Sequence, residues 1–141
     1  MALKVSKVEV WAVTIEDRVG GLVDKLAPLS AAGANMEFVI ARRAPEQAGK
    51  GVVFVTPLTG EEQIKAATTA GFQQTASLHS VRIEGPDRPG LGMMMAKALA
   101  DSGINLRGLS AAAIGKKFVC YLALDTAADA EKAIRTVKNL S

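Results

Sequence analysis

Asp87-Arg88-Pro89-Gly90-Leu91-Gly92 joins an apolar run, ending in Val81-Arg82-Ile83-Glu84-Gly85, to a helical pattern that starts at Leu91. Seventy positions earlier, Asp17-Arg18-Val19-Gly20-Gly21-Leu22 also follows an apolar run and precedes a helical one. Both stretches read as strand-to-helix turns. The match extends forward. Asp17 to Gly33 spans 16 positions and so does Asp87 to Gly103. Glycine after a helical run is a common stop. Each stop is followed by an apolar or small residue, an Asn and an apolar residue: Ala34-Asn35-Met36 and Ile104-Asn105-Leu106.

The helical faces come from spacing. Leu91, Met95, Ala98, Leu99 and Ser102 trace one face of the later helix. Leu22, Leu26 and Leu29 trace the earlier one, widened by Val23, and Pro28 predicts a bend there. Around these helices the rest of each unit falls into place. Lys4 to Ile15, rich in Val and carrying Trp11, reads as a strand. Met36 to Arg43 and Gly51 to Leu58 read as a hairpin across the polar loop 44–50. Thr59-Gly60-Glu61-Glu62 predicts a capping box, with Glu62 reaching back, before a helix with Ile64 and Ala67 inward. Phe72 to Gly85 reads as the last strand of one unit running almost directly into the first of the next. In the second unit, Asn105 to Ile114 and Phe118 to Leu124 form strands around the turn at Gly115-Lys116-Lys117. Asp125 or Thr126 then caps a helix with Ala130, Ile134 and Val137 inward.

The order βαββαβ, written twice, predicts an α+β chain of two tandem ferredoxin-like units, with antiparallel sheets and helices packed on one face. The expected boundary is 1–76 and 77–141. The second unit ends at Ser141 without its last strand, so one sheet edge is expected to be covered by another segment or chain.

Composition narrows the function. The chain has 141 residues, 49% of them hydrophobic and 4% aromatic, so its core is aliphatic. The net charge is +3, but residues 1–76 hold 8 basic and 8 acidic side chains against 9 and 6 in 77–141. No dense basic stripe of the kind nucleic acid requires is present. One cysteine, Cys120, excludes an intrachain disulfide and a cysteine-based zinc site. The N-terminus lacks a signal-peptide pattern and no apolar run approaches the length of a membrane span, so a soluble, cytoplasmic protein is expected.

The turn at 87–92 carries the chemistry. A helix N-terminus offers amides without intrahelical partners and the positive end of the helix dipole. The amides of Gly90, Leu91 and Gly92 are the available donors, since Pro89 has none. Asp87 either caps the helix or faces an ammonium group, and Asn105 offers both a donor and an acceptor. An amino acid requires donors for its carboxylate and acceptors for its ammonium. The structural alternative is that Asp87 is an N-cap and Asn105 a turn residue. The glycine spacing fits neither a P-loop nor a dinucleotide fingerprint. His79 has no nucleophile or acid at a telling spacing, Cys120 reads as a buried small hydrophobe, and Met93 and Met94 as core margin.

The doubled order, the Asp-Arg-Pro-Gly-Leu turn, the helix ending in glycine and the following Ile-Asn-Leu resemble the ACT domain, a family of small modules that bind amino acids, usually between two ACT units. The resemblance covers nearly the whole chain. It implies a ligand turn at Asp87, Arg88, Pro89, Gly90 and Leu91 with Asn105, and equivalents at Asp17, Arg18, Gly20, Gly21 and Asn35. Val19 replaces the proline in the first copy, whose hairpin loop is four residues longer, so the second copy is expected to be the better ligand turn. The implied protein is a stand-alone regulator that binds an amino acid and self-associates as a dimer or larger homo-oligomer. It would need no cofactor or metal. The alternative is a ligand-free module docking onto a metabolic enzyme. An enzymatic role has no motif behind it.

Overall fold

The computed structural model describes residues 2–75 and 78–140. Its elements in chain order are β1 (Lys4–Val8), β2 (Trp11–Glu16), α1 (Gly21–Ala31), β3 (Phe38–Arg43), β4 (Lys50–Thr56) and α2 (Gly60–Thr69), followed by β5 (Gln73–Gln74), β6 (His79–Pro86), α3 (Leu91–Asp101), β7 (Gly108–Ile114), β8 (Lys117–Leu124) and α4 (Ala127–Lys138). They form two compact units, one spanning Glu9–Thr75 and the other combining Met1–Val8 with Ala76–Ser141. Each unit has a four-stranded sheet, ordered β3-β4-β2-β5 and β1-β6-β8-β7, in which every pairing is antiparallel.

Three sequence expectations change together at the N-terminus. The apolar run 4–15 is two strands, not one, and they lie in different sheets. The unit boundary therefore differs from a cut at 76/77, because residues 1–8 belong with the C-terminal half. The C-terminal sheet is also complete: β1 pairs along β6, from Lys4 opposite Glu84 to Val8 opposite Ser80. Val5 and Leu3 pack against the core of that unit, so apolar burial as well as backbone hydrogen bonding holds the strand there. The stretch 72–85 contains β5 and β6, and the junction expected at 76–77 lies outside the described residues.

The core of the C-terminal unit is aliphatic, as the composition requires. Val81 and Ile83 of β6 face Leu122 and Cys120 of β8, and Leu91, Met95 and Leu99 of α3 close over them with Ala130, Ala133 and Val137 of α4. In the N-terminal unit Val13, Val53, Val55, Leu29, Ala67 and Phe72 do the same.

The expected leucine face of α1 is inward in part: Leu29 is buried and Leu26 packs against the core, whereas its N-terminal end is not. Leu22 is 37% and Val23 60% exposed, and Ile64 of α2 is 39% exposed. Gly21, Lys25 and Leu29 stand where Leu91, Met95 and Leu99 do in α3, with Gly21 and Leu29 buried and Lys25 half-buried beside Leu26. Lys25 is tolerated in this position because its Nζ donates to the carbonyl of Ala70, 2.7 Å away, at the C-cap of α2. That carbonyl is among those left without helical donors, at the negative end of the dipole. The cap of α2 also differs from the expected box. The Thr59 amide donates to Oε1 of Gln63 at 2.8 Å, so Gln63 rather than Glu62 reaches back. For α4 the cap is Thr126, whose hydroxyl accepts from the Asp129 amide at 3.0 Å.

Candidate functional site

The two turns share a backbone frame. Gly20 and Gly90 are left-handed, at φ 85° and 82°, which favours glycine at both positions. The first helical amide folds back in each, from Gly21 to the Arg18 carbonyl at 3.1 Å and from Leu91 to the Arg88 carbonyl at 3.4 Å. Each helical ladder then starts three residues later, with Asp24 donating to Gly20 and Met94 to Gly90. Each turn is also pinned to a hairpin tip: the Asp17 amide donates to the Gly49 carbonyl at 3.0 Å and the Asp87 amide to the Lys116 carbonyl at 2.8 Å. The loops differ, 44–49 against 115–116, yet deliver the same bond. At the far ends, Ala34 donates to Leu29 and Ile104 to Leu99, both at 3.0 Å, over left-handed Gly33 and Gly103. These are Schellman closures of helices of equal length.

The capping role considered for Asp87 is not used. The N-cap of α3 is Gly90, with no side-chain cap bond, and the N-cap of α1 is Gly20, likewise without one. Of the three expected donors in the later turn, the Leu91 amide is engaged with Arg88, while the Leu91 side chain is a core anchor, 1% exposed. The amides of Gly90, Gly92 and Met93 have no backbone acceptor among the described residues.

The side chains divide the two copies. In the first, Asp17 accepts from Nε of Arg43 at 2.8 Å, Arg18 pairs with Asp24, and Glu16 pairs with Lys50. The Lys50 ammonium, hydrogen-bonded to Glu16, holds that carboxyl below its ordinary value. Arg18 also donates from Nη1 to the Val19 carbonyl at 3.0 Å. In the second copy the corresponding partners are absent from the sequence. Ala113 stands where Arg43 does, eight residues past the Asn, and Met94 stands where Asp24 does. Arg88 donates from Nη2 to the Met94 sulfur at 3.2 Å, and no side chain among the described residues forms an ion pair with Asp87. The two turns thus differ in their acidic side chains and not in their amides: Asp17 is paired and Asp87 is not, while Gly20, Leu22 and Val23, like Gly90, Gly92 and Met93, have no backbone acceptor for their amides among the described residues.

Two glycines near these turns, at positions that do not correspond (Gly21 stands where Leu91 does, and Gly92 where Leu22 does), differ in the space around them. A Cβ on Gly21 would overlap the carbonyl oxygen of Glu16, so that glycine is required by closure of the turn. A Cβ on Gly92 would meet nothing within 4 Å. Among the described residues no packing contact accounts for a glycine at this exposed helix position, where alanine is favoured by up to about 1 kcal/mol.

The structure does not bring Asn105 to the turn of its own unit. α3 has 11 residues, and at a rise of roughly 1.5 Å each its ends are about 16 Å apart, with Asn105 beyond the far end. Asn35 stands in the same relation to its turn. Both asparagines are exposed. The sequence reading missed Asp24, Arg43, Glu16, Lys50 and Lys116. The first four carry a signal, opposite charges close to one turn, but only strand pairing shows which of them meet.

The other candidate residues stand apart from the turn. Cys120 lies on the core face, where burial pushes its thiol up to about 12 and leaves it protonated at neutral pH. His79 starts β6 opposite Leu124. Among the described residues no cluster of three His, Cys, Asp or Glu side chains is placed to hold a metal ion, and no helix is long and apolar enough to cross a membrane.

Two such units, with antiparallel sheets and helices starting from a glycine turn, define an ACT-like tandem fold. No family model matches the sequence, and no curated protein matches it either. Solved structures do. A Bacteroides thetaiotaomicron protein superposes with a TM-score of 0.78 at 16% identity, over 96% of this chain and 90% of that one. The ligand-free regulatory subunit of aspartate kinase from Thermus thermophilus gives 0.63 at 18% identity, over 98% and 94%. The aspartate kinase of Clostridium acetobutylicum, described as an allosteric enzyme, gives 0.61 at 16% identity, over 97% of this chain and 33% of that one. At these identities the likeness establishes the fold.

Proposed function

We propose that this protein is a non-catalytic regulator that binds a free amino acid at the turn of its C-terminal unit and self-associates to do so. The observation that carries the reading is the contrast between the turns: on one backbone frame, Asp17 is clamped by Arg43 while Asp87 has no ion-pair partner among the described residues. In this reading the amides of Gly90, Gly92 and Met93 take the ligand carboxylate at the positive end of α3, and Asp87 takes the ammonium. Pro89 and Arg88 shape the rim, and Leu91 anchors the turn to the core. Asn105 lies at the wrong end of α3 to join them in its own unit, so a second ACT-like unit supplies that contact. The first copy (Asp17, Gly20, Gly21 and Asn35) is a structural counterpart with a weaker site or none. Similarity in fold to regulatory subunits of aspartate kinase supports a regulatory role and a metabolic enzyme as the regulated partner.

Calorimetric titration of the protein with each of the twenty amino acids tests this. At least one is expected to bind, and the absence of heat and of thermal shift with all of them would remove the ligand reading. Substituting Asn105 or Gly90 is expected to weaken binding at least tenfold, and substituting Asn35 or Gly20 much less. Equal losses at both copies would contradict the ranking.

A further inference from the structure

Two charged side chains set the N-terminal turn apart from its copy. Both turns open with an aspartate, and both helices start from a left-handed glycine. At the N-terminal turn Nε of Arg43, on β3, donates to Oδ2 of Asp17 at 2.8 Å. Asp24 stands in the first turn of α1 and pairs with Arg18. At the C-terminal turn the same two positions hold Ala113 and Met94, and the first turn of α3 has no acidic residue. The N-terminal turn therefore has a cation on its aspartate and an anion near the positive end of its helix dipole. The C-terminal turn has neither. The amides do not account for the difference, because Gly20, Leu22 and Val23 lack backbone acceptors just as Gly90, Gly92 and Met93 do, among the described residues.

We propose that Arg43 and Asp24 together act as a built-in substitute for an amino acid, which keeps the N-terminal turn closed to a free one. This rests on the reading of the 87–92 turn as an amino-acid site. A free amino acid brings one ammonium and one carboxylate. The Arg43 guanidinium takes the place of the ammonium at Asp17. The Asp24 carboxylate supplies the negative charge that α1 favours at its start. An incoming ammonium must displace Arg43, and an incoming carboxylate meets a like charge on Asp24. The N-terminal turn is thus a latent site, and positions 43 and 24, with their counterparts 113 and 94, decide which copy is open. Both ion pairs are exposed, so the block is a competition and not a seal. Each pair is worth up to about fivefold in affinity, and the two about twenty-fivefold where they act independently.

Calorimetric titration of the full chain with the twenty amino acids, on the parent and three variants, tests this. The parent is expected to bind one equivalent per chain. Arg43→Ala combined with Asp24→Met is expected to bind a second. Ala113→Arg combined with Met94→Asp is expected to bind at least about tenfold more weakly than the parent. The control Arg42→Ala removes a charge from the opposite face of β3 and is expected to stay at one equivalent with unchanged affinity. Should a double variant melt below the titration temperature, Arg43→Ala and Ala113→Arg alone carry the comparison. A parent that binds one equivalent, with the N-terminal variant still at one or the C-terminal variant undiminished, would overturn this proposal and leave the ligand reading intact. Two equivalents in the parent, or a second equivalent in Arg42→Ala, would overturn it as well. Heat with the N-terminal variant alone would support the latent site and sink the ligand reading of the C-terminal turn. No heat from parent and variants alike would overturn both.

Discussion

At the scale of single residues, glycines in equivalent-looking turns have different duties. Gly21 has its Cβ direction blocked by the Glu16 carbonyl, and Gly92 faces open space. Gly21→Ala is expected to destabilise the protein by about 1–3 kcal/mol, because a backbone atom must move. Gly92→Ala is expected to do the reverse, raising stability by up to about 1 kcal/mol through helix propensity. If a ligand approaches the α3 N-terminus, the same change weakens amino-acid binding. Thermal melts with and without ligand check both signs together, and a Gly92→Ala protein that is more stable and binds normally would argue against close approach at this position.

At the scale of elements, the sheet faces away from the helices differ from the core faces in chemistry. Arg82 on β6 lies over the Tyr121 ring of β8, donates from Nε to its hydroxyl at 3.1 Å and pairs with Glu84 at 2.6 Å. The Arg82 bond and charge, with Lys117 and Lys4 nearby, hold the Glu84 carboxyl below its ordinary value of 4.5. A carboxylate whose folded pKa is depressed stabilises the fold at pH above the unfolded value, and the contribution disappears as pH falls through the folded value. Glu84→Gln is therefore expected to melt below the parent protein at neutral pH, with the gap closing as the solution is acidified below 4.5. Melting temperatures of the two proteins across pH check this, and a gap that widens in acid would contradict it. The opposite face holds Cys120, protonated and inert.

At the scale of the molecule, the N-terminal strand crosses out of the unit that its sequence neighbours build. β1 fills the edge of β6, and Gly85 sits so close beneath it that a Cβ would come within 2.6 Å of Leu3 and 3.0 Å of the Ala2 carbonyl. Gly85→Val is expected to lift β1 from the edge at a cost of about 1–3 kcal/mol. Hydrogen exchange is the suitable readout: amides of β6 should lose protection while those of β2 and β4 keep theirs. Uniform loss across both sheets would show that the strand does not act on its own unit alone.

Much of this was legible in the sequence. The two turns, the equal helices with their glycine stops and the four-residue difference between hairpin loops follow from backbone rules that act within a few residues. Glycine tolerates a left-handed φ, proline lacks an amide, and buried faces recur at helical or strand periods. The inward face of α3 was legible because its apolar residues leave one choice. That of α1 was legible only at Leu26 and Leu29, because Leu22 and Val23 extended the pattern onto an exposed side and half-buried Lys25 finds its acceptor in the Ala70 carbonyl of another helix. The split of residues 4–15 was not legible for a related reason. A period of two states that a strand forms, and is silent about which sheet receives it. The contrast between the ligand turns lay likewise beyond local rules. Both turns carry Asp and Arg, and only the pairing of β3 with β4 brings Arg43 to Asp17 while leaving Ala113 at the equivalent place. The sequence alone determined local conformation, through sterics and periodicity. Tertiary structure decided which edge β1 completes and which acidic turn is neutralised, because both depend on contacts between residues far apart in the chain.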